Sequence, residues 1–167
     1  MHGMSDPSPA LVVEASPLFA EYLDKIERSA GLLSTEQIWW RPDPSCNSVG
    51  NLLLHLCGNL SQWVLAGLGG RTFDRRRREE FAAEGGEDGA ALIRRLREVV
   101  AACTEVVLDL SEEDLARTLV IQGYSRTGFG ALLHAVEHMS YHTGQIVALA
   151  KQLVGGRTGI EFYPHLR

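Results

Sequence analysis

Hydrophobic residues recur at spacings of three and four along most of the chain, which is the pattern of amphipathic helices with one buried face. The first stripe predicts a helix that is capped by Ser16, has Pro17 at its first position and ends near Gly31. Three further stripes predict long helices over residues 48–68, 88–110 and 129–154. Four such helices, each with one apolar face, are typical of an all-α bundle.

The segments between these stripes predict the connections of the bundle. Ser34 and Gln37 have the spacing of a capping box before a short turn, and Ser111 with Asp114 indicates a second one. Residues 119–129 read as irregular, without the alternation of a strand. Residues 69–88, which include a short helical stretch at 77–83, are long enough to cross the bundle. The predicted fold is therefore an all-α four-helix bundle with a long crossover connection.

The chain divides by pattern into three parts. Residues 1–15, with two closely spaced prolines, predict an N-terminal arm. Residues 16–154 predict the four-helix bundle domain, and residues 155–167 predict a C-terminal tail that packs on the bundle through apolar side chains. A chain of 167 residues is long enough to bury a core without disulfides or a structural metal.

Charge and composition narrow the classes of partner. The net charge of −5 argues against a nucleic-acid binder held by phosphate contacts. The basic run at residues 75–78 is followed at once by Glu79 and Glu80, and it reads as a solvated, self-neutralising surface. No apolar stretch approaches the length of a membrane span, and the N-terminus has no signal-peptide pattern. Neither a nucleic acid nor a membrane is expected as a partner.

Three cysteines, at positions 46, 57 and 103, lack the close pairing of a cysteine-rich zinc site and cannot form a complete set of disulfides. This usage is typical of a reducing compartment and predicts a cytoplasmic protein. Cys57 and Cys103 fall on the apolar stripes of their helices and read as core packing.

The histidines carry the most chemical information. His134, His138 and His142 follow one another at intervals of four on the last predicted helix. An i, i+4 pair can converge on one metal ion, but three residues in this register cannot, because the outer two are about 12 Å apart along the axis. His138 and His142 face the apolar arc, whereas His134 lies toward its polar side. His55 is the remaining histidine on a predicted helix, since His2 and His165 lie near the ends.

Two interpretations of these residues remain open on pattern alone. The helical pair can be a metal site that takes a third ligand from elsewhere, or two core histidines satisfied by hydrogen bonds. His55 lies on a narrow polar strip with Asn51 and Asn59, which either lines a pocket or faces solvent. The HExxH motif is absent, and an inverted HxxEH match at residues 134–138 lacks the distant downstream Glu ligand of the peptidases that use it.

Two segments resemble the signature of the DinB-like proteins: NSVGNLLLHL at residues 47–56 and VEHMSYHTGQI at residues 136–146, with Trp40-Arg41-Pro42 as the lead-in. The resemblance covers about residues 16–154. It implies a four-helix bundle of unusual connectivity, usually a homodimer, with a divalent metal, often nickel or zinc, on three histidines. Those histidines correspond to His55, His138 and His142. Many members carry a second histidine before the last ligand, where this chain has Tyr141.

Characterised members of that family include thiol-dependent transferases and isomerases, such as bacillithiol S-transferases and mycothiol-dependent maleylpyruvate isomerase. The resemblance thus implies a metal-dependent transferase, or a related hydrolase or isomerase, that acts on a small molecule. Because Cys57 and Cys103 read as core packing, a low-molecular-weight thiol would have to arrive as a cofactor. Asn51, Asn59 and Gln145 are the predicted substrate-binding residues, and no catalytic residue is assigned. The alternative is a non-catalytic, stress-associated metal- or ligand-binding bundle.

Overall fold

The computed structural model describes residues 8–155 and 159–163, and within them the chain is almost entirely helical. The elements, in chain order, are α1 (Ser8–Ala30), α2 (Thr35–Trp39), α3 (Val49–Leu60), which continues as a π-helical segment (Ser61–Leu68), α4 (Arg77–Ala82), α5 (Gly89–Leu108), α6 (Glu112–Ala116), β1 (Thr118–Ile121), β2 (Tyr124–Thr127) and α7 (Gly128–Val154). The all-α prediction is confirmed. No described helix combines the length and the apolar character needed to cross a membrane.

Side-chain caps begin most of these helices. The hydroxyl groups of Ser34, Ser48 and Ser111 each accept a hydrogen bond from the backbone three residues later, in complete capping boxes. Asp88 caps α5 and Thr127 caps α7 by the same geometry. The capping boxes predicted at Ser34 and Ser111 are therefore confirmed. Each cap satisfies backbone N–H groups that a helix end leaves open.

The predicted start of the first helix is wrong. α1 begins at Ser8 rather than at Ser16, and Pro17 lies inside it. Ala15 is fully buried and Val12 packs against the core, so tertiary contacts stabilise the turns before the proline. Packing has outweighed the local signal of a cap followed by proline.

The four long helices form the corners of the bundle. α1 packs on α5 and α7, and α3 packs on the same two helices, so α1 and α3 lie at opposite corners. The chain therefore crosses the diagonal between α1 and α3 and again between α5 and α7. This corrects the place of the crossover, because residues 69–88 connect the neighbours α3 and α5. Their helix α4, predicted at residues 77–83, instead packs against α3.

A two-stranded hairpin replaces the irregular segment that the sequence predicted before α7. β1 pairs with β2 in antiparallel register, from Thr118 opposite Thr127 to Ile121 opposite Tyr124. Gln122 and Gly123 both have positive φ, as a tight two-residue hairpin turn requires. All four residues of β2 are exposed. β2 therefore lacks the alternation of buried and exposed residues by which strands are recognised in a sequence, and β1 shows it over only four residues.

The described part of the C-terminal tail packs against α1. Ile160 is buried, Arg28 donates a hydrogen bond to the carbonyl oxygen of Glu161, and its guanidinium group lies 5.0 Å from the centre of the Phe162 ring. The remaining tail residues, the arm before Ser8, and with them His2 and His165, lie outside the described residues.

Candidate metal centre

Three histidines from α3 and α7 meet inside the bundle. One ring nitrogen from each of His55, His138 and His142 lies within 4.8 Å of the other two. His55 and His142 are buried and His138 is half-buried. The Nε2 atoms of His55 and His138 are 2.9 Å apart, and the ring centres of His138 and His142 are 4.5 Å apart. The helical spacing indicated the pair His138 and His142, and the family resemblance indicated all three.

A carboxylate fixes the outer side of the His55 ring. Nδ1 of His55 lies 2.9 Å from Oε2 of Glu80, which belongs to α4. Arg75 donates to both oxygens of that carboxylate, at 2.7 and 2.8 Å, and its side chain is only 3% exposed. Nη2 of Arg75 also lies 3.0 Å from this Nδ1, but its N–H groups are directed to the Glu80 carboxylate as well. Because an ionised carboxylate only accepts, the contact with Glu80 favours the proton on Nδ1 of His55 and an unprotonated Nε2 toward the other histidines. A carboxylate behind a histidine is a common support for a metal ligand.

Hydrogen bonds from two distant side chains hold α4 in the position that brings Glu80 to His55. The side-chain amide of Asn51 donates to the carbonyl oxygens of Glu80 and Ala83, at 2.9 and 2.8 Å. Arg41 donates to the carbonyl oxygens of Phe81 and Ala83. The backbone end of α4 is therefore bound from α3 and from the segment that precedes it. These bonds also satisfy carbonyl groups that the last turn of a helix leaves open.

Glycine at position 58 makes room for this contact. A Cβ atom on Gly58 would lie 2.0 Å from Oε1 of Glu80 and 3.0 Å from Nε of Arg75. Any side chain at this position would therefore collide with the buried ion pair. Gly58 follows His55 by three residues, on the same side of α3.

The second buried histidine is oriented from within its own helix. Nδ1 of His142 donates to Oε1 of Gln145, three residues later, at 2.7 Å. Gln145 therefore fixes the Nδ1-protonated form of His142 and leaves its Nε2 available, as Glu80 does for His55. The structure gives Gln145, predicted as a substrate-binding residue, a hydrogen bond to a candidate ligand.

The electrostatic surroundings favour neutral imidazoles. Burial lowers the pKa of His138 to about 3, with further lowering by His142, His55, His134 and Arg75. Burial also lowers the pKa of His142, against the opposing hydrogen bond to Gln145. For Glu80, burial alone would raise the pKa, but hydrogen bonds from Arg75 and His55 outweigh it and keep the pKa below its usual value. At neutral pH, His138 and His142 are therefore neutral imidazoles, and Glu80 is an ionised carboxylate.

These features fit a divalent metal. Neutral imidazole is a standard ligand for zinc, nickel, copper and iron. The Nε2 atoms of His55 and His138, 2.9 Å apart, are close enough for both to bind one ion, since metal–nitrogen bonds are about 2.0–2.1 Å long. In the described part of the chain, no other group of three histidine, cysteine or acidic side chains converges in this way.

A cavity of about 370 Å³ opens beside the three histidines. His55 and His138 form part of its wall, and Asn59, Trp63 and His134 line it further along the same helices. His134 packs against the Trp63 ring, with a 4.1 Å separation of ring centres, and does not join the three converging nitrogens. His134, predicted toward the polar side of the last helix, therefore lies beside the cluster and not in it.

The three predicted substrate-binding residues occupy different environments. Asn59 is buried at the cavity wall, and its Oδ1 has no hydrogen-bond partner. Asn51 is fully buried, and its amide is engaged in the capping box of α3 and in the bonds to α4. The polar strip on α3 is therefore not a solvent face. For all three residues the substrate-binding role stays a prediction, and for Asn51 and Gln145 the structure shows another use of the side chain.

Sequence reasoning missed the α4 side of the site. The basic run was interpreted as solvated, but Arg75 is buried and Glu80 is the carboxylate behind His55, so that interpretation is wrong for these two residues. The missed signal was Gly58, a glycine inside a helix beside a candidate ligand, which indicates the close approach of another segment.

The described cysteines take no part in the centre. Burial raises the pKa of Cys57 and of Cys103 to about 12, so both remain neutral thiols at physiological pH. Cys103 donates to the carbonyl oxygen of Leu60 within the core. Cys46 is half-buried, in the connection that leads into α3.

The bundle has the fold of proteins described as DinB-like. A DinB-like protein from Bacillus subtilis, YjoA, matches with a TM-score of 0.68 and 17% identity over 90% of this chain and 97% of its own. A DinB-like protein from Bacillus cereus matches with a TM-score of 0.66 and 17% identity, over 85% and 92% of the two chains. A conserved protein from Enterococcus faecalis matches with a TM-score of 0.73 and 18% identity, over 86% and 97%.

Residues 8–158 match the model of the family described as a protein of unknown function, DUF1572, and the chain belongs to that family. No curated protein gives a significant match to the sequence.

Proposed function

We propose that this protein binds one divalent metal ion, nickel or zinc, on His55, His138 and His142, and uses it as an enzyme on a small-molecule substrate. The observation that carries the proposal is the pair of outer hydrogen bonds. Glu80 and Gln145 each hold Nδ1 of a buried histidine, so that Nε2 of both rings is free for a shared ion. If these histidines served only to stabilise the bundle, their two rings would not need this common orientation.

Three protein ligands leave coordination positions open, as catalytic metal sites require. When bound, such an ion lowers the pKa of a coordinated water or thiol and so supplies a nucleophile near neutral pH. The protein's own side chains orient the ligands: Glu80 holds the proton on Nδ1 of His55, and Gln145 holds the proton on Nδ1 of His142. The adjacent cavity has room for a reactant.

The reaction we propose is a thiol-dependent transfer, or a related hydrolysis or isomerisation. Cys57 and Cys103 cannot supply a thiolate at neutral pH, because burial raises the pKa of each to about 12. Cys46 neither joins the three histidines nor lines the cavity beside them. A low-molecular-weight thiol would then be the nucleophile, in line with the sequence resemblance. The homodimer and the cytoplasmic location stay predictions.

Metal analysis tests the binding part of the proposal. After incubation with nickel or zinc and removal of excess ion, we expect about one ion per wild-type chain and much less in His142→Ala, which removes a ligand. His134→Ala is the matched control, two turns earlier on the same helix, and should retain the metal. Equal metal content in all three proteins would contradict the proposal.

The catalytic part needs a separate test. Metal-loaded protein is incubated with a panel of small thiols and a chlorinated aromatic electrophile, and conjugate formation is followed by absorbance. Conjugation that requires both metal and His142 would support a transferase. Stoichiometric metal with no turnover of any thiol would favour the non-catalytic binding bundle instead.

A further inference from the structure

The cavity beside the three histidines carries an excess of positive charge. Arg75, Arg77 and Arg126 line it, together with neutral polar and aromatic side chains, and no acidic side chain is part of its wall. Arg75 is neutralised by its ion pair with Glu80. Among the ion pairs of the described residues, none involves Arg77 or Arg126.

These two arginines converge on the cavity from separate parts of the chain. Arg77 begins α4, and Arg126 lies in β2 of the hairpin. The Arg77 guanidinium lies 5.0 Å from the Phe81 ring centre, and that of Arg126 lies 5.9 Å from the Tyr124 ring centre. Aromatic faces keep a guanidinium in place without neutralising its charge or using its N–H groups. Both cations are therefore available to an incoming anion.

A buried acceptor at the same wall points to a second feature of the ligand. Asn59 is 3% exposed, and its Oδ1 has no hydrogen-bond partner. An unsatisfied buried carbonyl destabilises a protein, and such groups in native structures have a reason. A ligand with a hydroxyl or amine group could donate to this oxygen while its anionic group contacts the arginines.

We propose that this cavity binds a small organic anion, with carboxylate or phosphate oxygens at Arg77 and Arg126 and a hydrogen-bond donor at Asn59. The inference rests on the proposed function in placing this anion beside a metal centre as its substrate or co-substrate. The volume of the cavity, about 370 Å³, is in the range of small-molecule sites. Guanidinium groups suit planar carboxylates and phosphates because their N–H groups can bind two oxygens at once.

Binding of matched probes tests the charge. Succinate, its neutral analogue succinamide and inorganic phosphate are titrated by calorimetry into metal-free and zinc-loaded protein, so that direct coordination by zinc is separated from binding by arginine. We expect succinate to bind at least about tenfold more tightly than succinamide in the metal-free protein. A stronger response to phosphate than to succinate would assign the anionic group as phosphate. Equal affinity for succinate and succinamide, without phosphate binding, would overturn the proposal.

Substitutions locate the site. Arg77→Gln and Arg126→Gln should each weaken binding of the preferred anion about five- to tenfold, and the Lys variants should retain most of it. Arg94→Gln makes the same charge change on an exposed part of α5 that does not line the cavity, and should alter affinity less than twofold. Arg77 and Arg126 are both exposed, so these variants should fold. An equal loss in all three Gln variants would overturn the assignment to this cavity.

The donor is tested with tartrate, which adds hydroxyl groups to succinate. In metal-free wild-type protein we expect tartrate to bind more tightly than succinate, and this preference should disappear in Asn59→Leu while succinate affinity is retained. An unchanged preference would remove Asn59 from the proposal.

If metal analysis fails but succinate still binds through the arginines, the proposed function is wrong and the anion site stands. Stoichiometric metal without anion binding would overturn the anion site and leave the metal centre in place.

Discussion

The two halves of the metal centre are built in different ways. On α7, the spacing of four residues alone brings His138 and His142 together, and Gln145 orients His142 from the next turn. On α3, His55 depends on residues far away in the sequence, because its ring is oriented by Glu80 of α4 and that carboxylate is held by Arg75. One half is local and the other is assembled by tertiary structure.

This difference teaches where the centre is vulnerable. The backbone hydrogen bonds of a long helix fix the α7 pair, and the loss of one polar contact leaves both ligands on the same face. The α3 half rests on a buried ion pair, a glycine and the anchoring of α4 by Arg41 and Asn51. Disturbance of any of these should rotate or reprotonate His55. Substitutions on the α4 side should therefore have larger effects than equivalent ones on α7.

The largest effect is expected from Glu80→Ala. Metal affinity should fall by about 10–100-fold, because His55 loses the carboxylate that orients it. The free energy of unfolding of the metal-free protein should fall by about 3–5 kcal/mol, since Arg75 stays buried without a counter-charge. Competition with a chromophoric chelator measures the first quantity, and urea denaturation measures the second.

Two comparison proteins keep the Glu80 prediction specific. Glu79→Ala removes the neighbouring carboxylate, which is exposed and pairs with Arg76, and should change neither quantity appreciably. The double variant Arg75→Met, Glu80→Met removes both buried charges and should recover stability without recovering metal affinity. If the Glu80→Ala variant bound metal as tightly as the Glu79→Ala variant, α4 would have no part in the site.

A smaller loss is expected from Gly58→Ala. The new Cβ would lie 2.0 Å from Oε1 of Glu80, so the carboxylate and Arg75 must shift, and metal affinity should fall about tenfold. Gly144→Ala is the matched control, because that glycine lies next to Thr143 and His142 on α7 with no atom within 4 Å of the added Cβ. It should stabilise the helix by up to about 1 kcal/mol and leave metal affinity unchanged. The same chelator competition compares them, and equal affinities would contradict the steric argument.

The same contrast explains what could be predicted from the sequence. Helix periodicity predicts the bundle, and the i, i+4 rule together with the apolar arc of the last helix selects His138 and His142, because both follow from local backbone geometry. The third member of the cluster, His55, could be ranked by elimination and by family resemblance. Neither Glu80 nor Arg75 could be placed, since their contacts depend on how residues 69–88 fold back on α3. A charged run looks the same in a sequence whether it is solvated or buried.

On α7, Gln145→Leu should have a weaker effect than either change on the α4 side. The variant loses the bond from Nδ1 of His142, but the helix still presents that ring toward His138, so we expect a decrease in metal affinity of less than about tenfold. Gln152→Leu, an exposed change on the same helix, is the control. A loss as large as that of Glu80→Ala would remove the distinction between a local and an assembled half.

The smallest effect is expected from the protein's own thiols. Cys103 has a pKa raised to about 12 by burial, so at pH 8 it remains the protonated, unreactive thiol, whereas half-buried Cys46 is accessible to reagent. Titration of the native protein with a chromogenic disulfide at pH 8 should therefore give one fast equivalent, which Cys46→Ser removes. Cys103→Ala should leave both the fast equivalent and the metal affinity unchanged. A second fast equivalent that disappears in Cys103→Ala would show that the core between α3 and α5 opens readily. The assembled half of the centre would then be more mobile than its buried contacts imply, because both Cys103 and the ion pair behind His55 pack against α3.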